Sequence, residues 1–126
     1  MQFTFFQVLA SGLLFFATSS VVADGGFADT CTDYYINNAT LIAECTGHNG
    51  VGTYLTSINT AYCIADTGGY LECAPNGQYT ASCSNCFIES GTTYMLCDCE
   101  NGSGGDGASI IDLNSCFTNV DGALGC

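Results

Sequence analysis

Eight of this chain's ten cysteines fall in a pattern that it writes twice. Phe27-Ala28-Asp29-Thr30-Cys31 returns as Tyr79-Thr80-Ala81-Ser82-Cys83, and Leu41-Ile42-Ala43-Glu44-Cys45 as Met95-Leu96-Cys97-Asp98-Cys99. Ser57-Ile58-Asn59 returns as Ile110-Ile111-Asp112, while Cys63 and Cys73 return as Cys116 and Cys126. The offset drifts only between 52 and 54 positions, so the repeats span 25–73 and 77–126. Between them, residues 74–76 hold the only proline, Pro75, as a linker does. Two copies of one unit of this length predict a fold with an internal two-fold.

The chain opens with MQFTFFQVLASGLLFFATSSVVA, residues 1–23. Its apolar stretch followed by small residues reads as a signal peptide, with the mature chain starting near Asp24 and the protein secreted to the extracellular space. Behind such a segment an even number of cysteines reads as a disulfide framework. Cys83-Ser84-Asn85-Cys86 has the spacing of a redox or zinc motif, but the chain has a single histidine, and no metal or cofactor is expected. There are 12 Asp and Glu and no Lys or Arg. Nucleic acid is therefore excluded, because phosphate binding depends on cations, and anionic membranes are disfavoured for the same reason.

Repeat symmetry suggests the cysteine pairing, which spacing alone leaves open. Equivalent pairs are Cys31–Cys45 with Cys83–Cys99, and Cys63–Cys73 with Cys116–Cys126, the latter two stapling hairpins. Cys86–Cys97 remains as a fifth bridge special to repeat two. Short runs such as Tyr34-Tyr35-Ile36, Leu41-Ile42-Ala43 and Thr93-Tyr94-Met95-Leu96 alternate with Gly, Asn and Asp, which predicts an all-β chain. Val120-Asp121-Gly122-Ala123 is a strong hairpin turn. Its counterpart in repeat one, Thr67-Gly68-Gly69-Tyr70, turns on glycine.

With these motifs on view, the chain resembles the cyanovirin-N homology (CVNH) family. The likeness rests on the order, in both repeats, of aromatic-x3-Cys, then Leu- or Met-x3-Cys, then Ser57-Ile58-Asn59 or Ile110-Ile111-Asp112-Leu113, with Asn-Val-Asp-Gly-x-Leu closing the second; SIIDLNSCFTNVDGAL is its most specific piece. The resemblance implies two pseudo-symmetric, intertwined lobes, each a three-stranded sheet from one repeat plus a hairpin from the other. It implies a lectin that binds mannose-type oligosaccharides or glycoproteins without metal, as a monomer or as a lobe-exchanged dimer hinged near Pro75.

Carried over position by position, the first pocket would use Asp29, Thr30, Thr46, His48, Asn49, Asn119, Asp121 and Gly122. Asp29 stands where the family often has an amide and Thr46 where it often has a carboxylate. The second pocket would use Gln78, Ser82, Glu100, Asn101, Asp66 and Thr67. It lacks the aspartate of the Asn-Val-Asp-Gly tip, so it is expected to be weak or lost. Asn38-Ala39-Thr40 and Asn101-Gly102-Ser103 are sequons for N-glycosylation.

A carboxylate accepts from vicinal hydroxyls, and threonine and amide groups complete a hexose's donor and acceptor pattern. Asn-Val-Asp-Gly equally suits a tight turn with no ligand. The competing reading is therefore a cysteine-rich structural or interaction protein that keeps the fold without the sugar. Catalysis is not expected: one histidine supplies no acid–base pair, and Asp98 with Glu100 is the nearest approach to a glycosidase dyad.

Overall fold

In a computed structural model that describes residues 25–126, each repeat forms five strands in the same order. Repeat one gives β1 (Cys31–Asn37), β2 (Thr40–Thr46), β3 (Thr53–Asn59), β4 (Ile64–Thr67) and β5 (Tyr70–Cys73). Repeat two gives β6 (Cys83–Ile88), β7 (Tyr94–Glu100), β8 (Asp106–Asp112), β9 (Thr118–Val120) and β10 (Ala123–Gly125). The expected signal segment 1–23 lies outside the described residues, as does the side chain of His48.

The strands pair antiparallel into two three-stranded sheets, β1-β2-β3 and β6-β7-β8, and two hairpins, β4-β5 and β9-β10. The central strands show why. Leu41, Ala43 and Cys45 of β2 and Met95, Cys97 and Cys99 of β7 are buried at every second position, the period of a strand with one face on a core.

Each sheet is completed by the other repeat's hairpin. Leu124 N–H donates to Thr56 Oγ1 at 3.0 Å, tying β10 to β3. At the equivalent place Leu71 N–H donates to Ser109 Oγ at 3.0 Å, tying β5 to β8. Both leucines are buried beneath the sheets they cross. The fold is thus all-β, with two intertwined, pseudo-symmetric lobes. The turns leading into the hairpins repeat as well: Asn59 Oδ1 accepts from Ala61 N–H, and Asp112 Oδ1 from Asn114 N–H.

Tyr79, Phe27 and Phe117 are the largest fully buried side chains. The Tyr79 hydroxyl shares a 2.6 Å hydrogen bond with Thr60 Oγ1, which also lies 2.7 Å from the Ala39 carbonyl. Burial holds the Tyr79 phenol above its ordinary pKa, with the Thr60 contact opposing. A folded-state pKa above the unfolded one gives stability that is complete below about pH 10 and lost as pH rises further. Tyr79→Phe should cost about 1 kcal/mol at neutral pH and flatten the decline of stability in alkali. Urea unfolding at a series of pH values from neutral upward checks this; an alkaline slope equal to the parent's would contradict it.

Five disulfides close the framework. Cys31–Cys45 and Cys83–Cys99 join residues that face each other across β1–β2 and β6–β7, and Cys86–Cys97 joins β6 to β7 again further along. The other two correct the expected hairpin staples. Cys63 bonds Cys126 and Cys73 bonds Cys116; neither Cys63–Cys73 nor Cys116–Cys126 forms.

Register is the reason. Ile64 faces Cys73, and Ala74 N–H donates to the Cys63 carbonyl at 2.9 Å, so Cys63 and Cys73 are one step out of line. One step turns side chains to opposite faces: Cys63 is buried and Cys73 exposed. In the second hairpin Thr118 faces Gly125, which leaves Cys126 opposite Phe117 rather than Cys116. Exchanging the repeats carries Cys63–Cys126 onto Cys116–Cys73, so the observed scheme keeps the internal two-fold while crossing it.

Candidate functional site

The β9–β10 tip is built by an amide. Asp121 (φ 52) and Gly122 (φ 94) both take the left-handed conformation, which a two-residue hairpin turn requires. Asn119 fixes this tip from within: its Oδ1 accepts from Gly122 N–H at 2.7 Å. Its Nδ2 donates outward to Thr30 Oγ1 and to the Thr46 carbonyl, each at 2.9 Å. Thr46 N–H in turn donates to the Thr30 carbonyl at 2.9 Å. The end of the chain is thereby clamped to its beginning, across 89 positions for Asn119 and Thr30.

Of the residues expected in the first pocket, Thr30, Thr46, Asn119 and Gly122 are joined directly by these bonds. Asp29 stands exposed in the turn just before Thr30, Asn49 in the turn His48–Gly50 just after Thr46, and Asp121 at the hairpin tip. Asn119 spends both halves of its amide on the framework, which makes it a positioning residue. The Thr30 hydroxyl oxygen accepts from Asn119 and its proton is left to donate, and Asp121 is exposed at the same tip.

Tyr54 was not among the expected residues, yet it belongs here. A methyl group added to Gly47 would lie 2.0 Å from its ring, and one added to Gly122 would lie 2.8 Å from it. The ring therefore lies directly against both glycines, one from each repeat, while remaining 52 % exposed. In register Tyr54 faces Cys45, and its counterpart facing Cys99 is Gly107. An aromatic aligned against a glycine was the signal that comparison of the repeats offered. Gly47→Ala should push the ring outward and reduce any recognition at this tip severalfold, with the loss read by ligand titration.

The second site copies the frame with different chemistry. Asp66 stands in the place of Asn119, its Oδ1 accepting from Gly69 N–H at 2.8 Å and its Oδ2 from Ser82 Oγ at 2.6 Å. Glu100 N–H donates to the Ser82 carbonyl at 2.9 Å, as Thr46 does to Thr30. The place of Asp121 is taken by Gly68, so the tip itself carries no carboxylate.

The other expected residues of this site are engaged by other partners or exposed next to it. Thr67 Oγ1 turns along its own hairpin to Glu72 Oε2, 2.5 Å away. Asn101 Oδ1 accepts from Ser103 and Gly105 N–H within its own loop. Gln78 is exposed, with φ 56. Asp66 lies within 4.8 Å of the sulfurs of Cys83 and Cys99, but these form a disulfide and offer no thiolate to a metal.

Comparison with known proteins finds the same fold elsewhere. A MoCVNH3 variant solved in complex with (N-GlcNAc)4 superposes with a TM-score of 0.71 at 17% identity, over 82% of this chain and 98% of that one. The CVNH protein of T. borchii gives 0.66 at 25% identity, over 79% and 97%. Microvirin, solved with mannobiose, gives 0.65 at 25% identity, over 80% and 97%. No curated protein matches the sequence. The family model for the CVNH domain matches residues 27–125, and the chain belongs to the CVNH family.

Proposed function

We propose that this protein is a secreted lectin that recognises mannose-type oligosaccharides without metal, mainly through the β9–β10 tip. One observation carries the reading. Asn119 locks the tip that carries Asp121 against Thr30 and Thr46, and the Tyr54 ring lies against Gly122 of the same tip. A carboxylate and a hydroxyl in one site match the vicinal hydroxyls of a hexose, and an aromatic face suits its C–H surface. A neutral sugar also meets no repulsion from a chain with a net charge of −12. Microvirin's mannobiose and the MoCVNH3 variant's GlcNAc oligomer show that this fold accommodates both kinds of sugar.

Backbone chemical-shift titration with an α-linked mannobiose tests the reading, with a GlcNAc oligomer in parallel. Shifts are expected at Thr30, Thr46–Asn49 and Asn119–Gly122, and not at Asp66–Gly69. Unmoved spectra at millimolar disaccharide would leave the structural or interaction role in its place. Secretion carries a covalent corollary. Asn38 is exposed at the β1–β2 turn, whereas the Asn101 side chain is folded into its loop. Asn38 is therefore the sequon we expect to bear a glycan, readable as a mass shift on the secreted chain.

A further inference from the structure

A cleft of about 660 Å³ lies between the two repeats, apart from both hairpin tips. Its lining comes from β1, from β6 and from the turn after β6, and none of the residues assigned to the two lobe sites contributes to it. The volume is in the range of small-molecule sites. Strands β1 and β6 are edge strands of their sheets. Each is broken by a register shift, between Thr32 and Tyr35 and between Ser84 and Phe87. Asp33 (φ 53) and Asn85 (φ 55) adopt the left-handed conformation at these breaks. Bulges of this kind oppose the docking of a further strand, so a ligand here is read by side chains.

Among those side chains are two exposed aromatics and two carboxylates. Tyr35 and Phe87 occupy equivalent places in the repeats, 53% and 54% exposed, and both line the cleft. Asp33 and Glu89 line it as well, and among the described residues neither carboxylate has a hydrogen-bond partner. With no Lys or Arg anywhere in the sequence, no lysine or arginine side chain can neutralise them. A neutral ligand would meet them through hydroxyl hydrogen bonds alone, without charge compensation, and an anion would be repelled. A ligand with both ammonium groups and apolar ring faces satisfies the whole lining, through ion pairs to the carboxylates and cation–π and stacking contacts to the rings.

We propose that this central cleft binds an oligosaccharide carrying free amino groups, of the β-linked glucosamine type. The site is separate from the tip that Asn119 positions, and it stands or falls without it. The experiment is calorimetric and chemical-shift titration of the full mature chain with a glucosamine hexamer, its fully N-acetylated counterpart and a lysine-rich peptide, each at low and high salt. The free-amine sugar should shift Tyr35, Phe87 and Ser90 and bind at least about tenfold more tightly than the acetylated one, and salt should weaken it.

Asp33→Asn with Glu89→Gln should remove most of that preference, since asparagine tolerates the positive φ at position 33. Tyr35→Ala should weaken both sugars at these residues. Equal binding of the acetylated hexamer, or shifts spread over the acidic surface and indifferent to the variants, would overturn the proposal. A peptide bound at the same residues as tightly as the sugar would also overturn it. Failure of the mannobiose titration would leave it untouched.

Discussion

Asp121→Asn should weaken mannobiose binding at least about tenfold. The amide keeps the size of the side chain and tolerates the left-handed φ of 52 that the turn imposes. What it removes is the charged acceptor for paired hydroxyls, and charge-assisted bonds are about twice as strong as neutral ones. Asn119→Ala should act differently. It deletes three hydrogen bonds, to Thr30, Thr46 and Gly122, each worth on the order of 1 kcal/mol. Both the melting temperature and sugar binding should therefore fall.

The reciprocal experiment is a gain of function. Gly68 has φ +62, nothing lies within 4 Å of a Cβ added there, and it occupies the place of Asp121 in the other lobe. Gly68→Asp should bring a second set of mannobiose shifts, at Asp66–Gly69. An Asp121→Asn protein that still binds with parent affinity would refute the role given to this carboxylate.

Removing one bridge between the repeats should produce the largest change in stability. Cys73–Cys116 closes a separation of 43 residues and Cys63–Cys126 one of 63. Restricting an unfolded chain over loops of that length is worth about 4 kcal/mol each in the loop-entropy treatment. The paired substitution Cys73→Ser with Cys116→Ser should lower Tm by on the order of 15 °C. The converse substitution, Cys73→Ser with Cys63→Ser, should be worse, because it orphans two partners. Peptide mapping of the unreduced protein must use a protease that cuts at acidic residues, since the chain offers no Lys or Arg. Recovery of a Cys63–Cys73 peptide would contradict the pairing described.

The contrast between those two pairings shows what a sequence can carry. The duplication made two equal β units readable, with the Asn-Val-Asp-Gly turn closing the second, and the lobes of sheet plus hairpin followed from the family resemblance. The meeting of Asn119 with Thr30 followed from the family resemblance. Repeat symmetry could not decide which equivalent cysteines join, because pairing within repeats and pairing across them are both symmetric. Only the register of β4–β5 and β9–β10, a one-residue matter, separates them.

The expected site had a similar gap. Matching residue types placed Asn119 among the sugar contacts, whereas its amide turns out to be occupied in holding the tip. Tyr54 was passed over because its role depends on two distant glycines leaving room for its ring, and a single motif does not show such a vacancy.

The bridge from Cys63 to Cys126, the final residue, bears on how the protein endures damage. Any single backbone scission between those two positions leaves both fragments in one covalent molecule, with the severed ends still packed into their shared lobes. Swapping lobes with a neighbour about Pro75 would demand rupture of this link and of Cys73–Cys116 together. A nicked chain should therefore migrate at full mass until a reductant is added, and then fall into pieces.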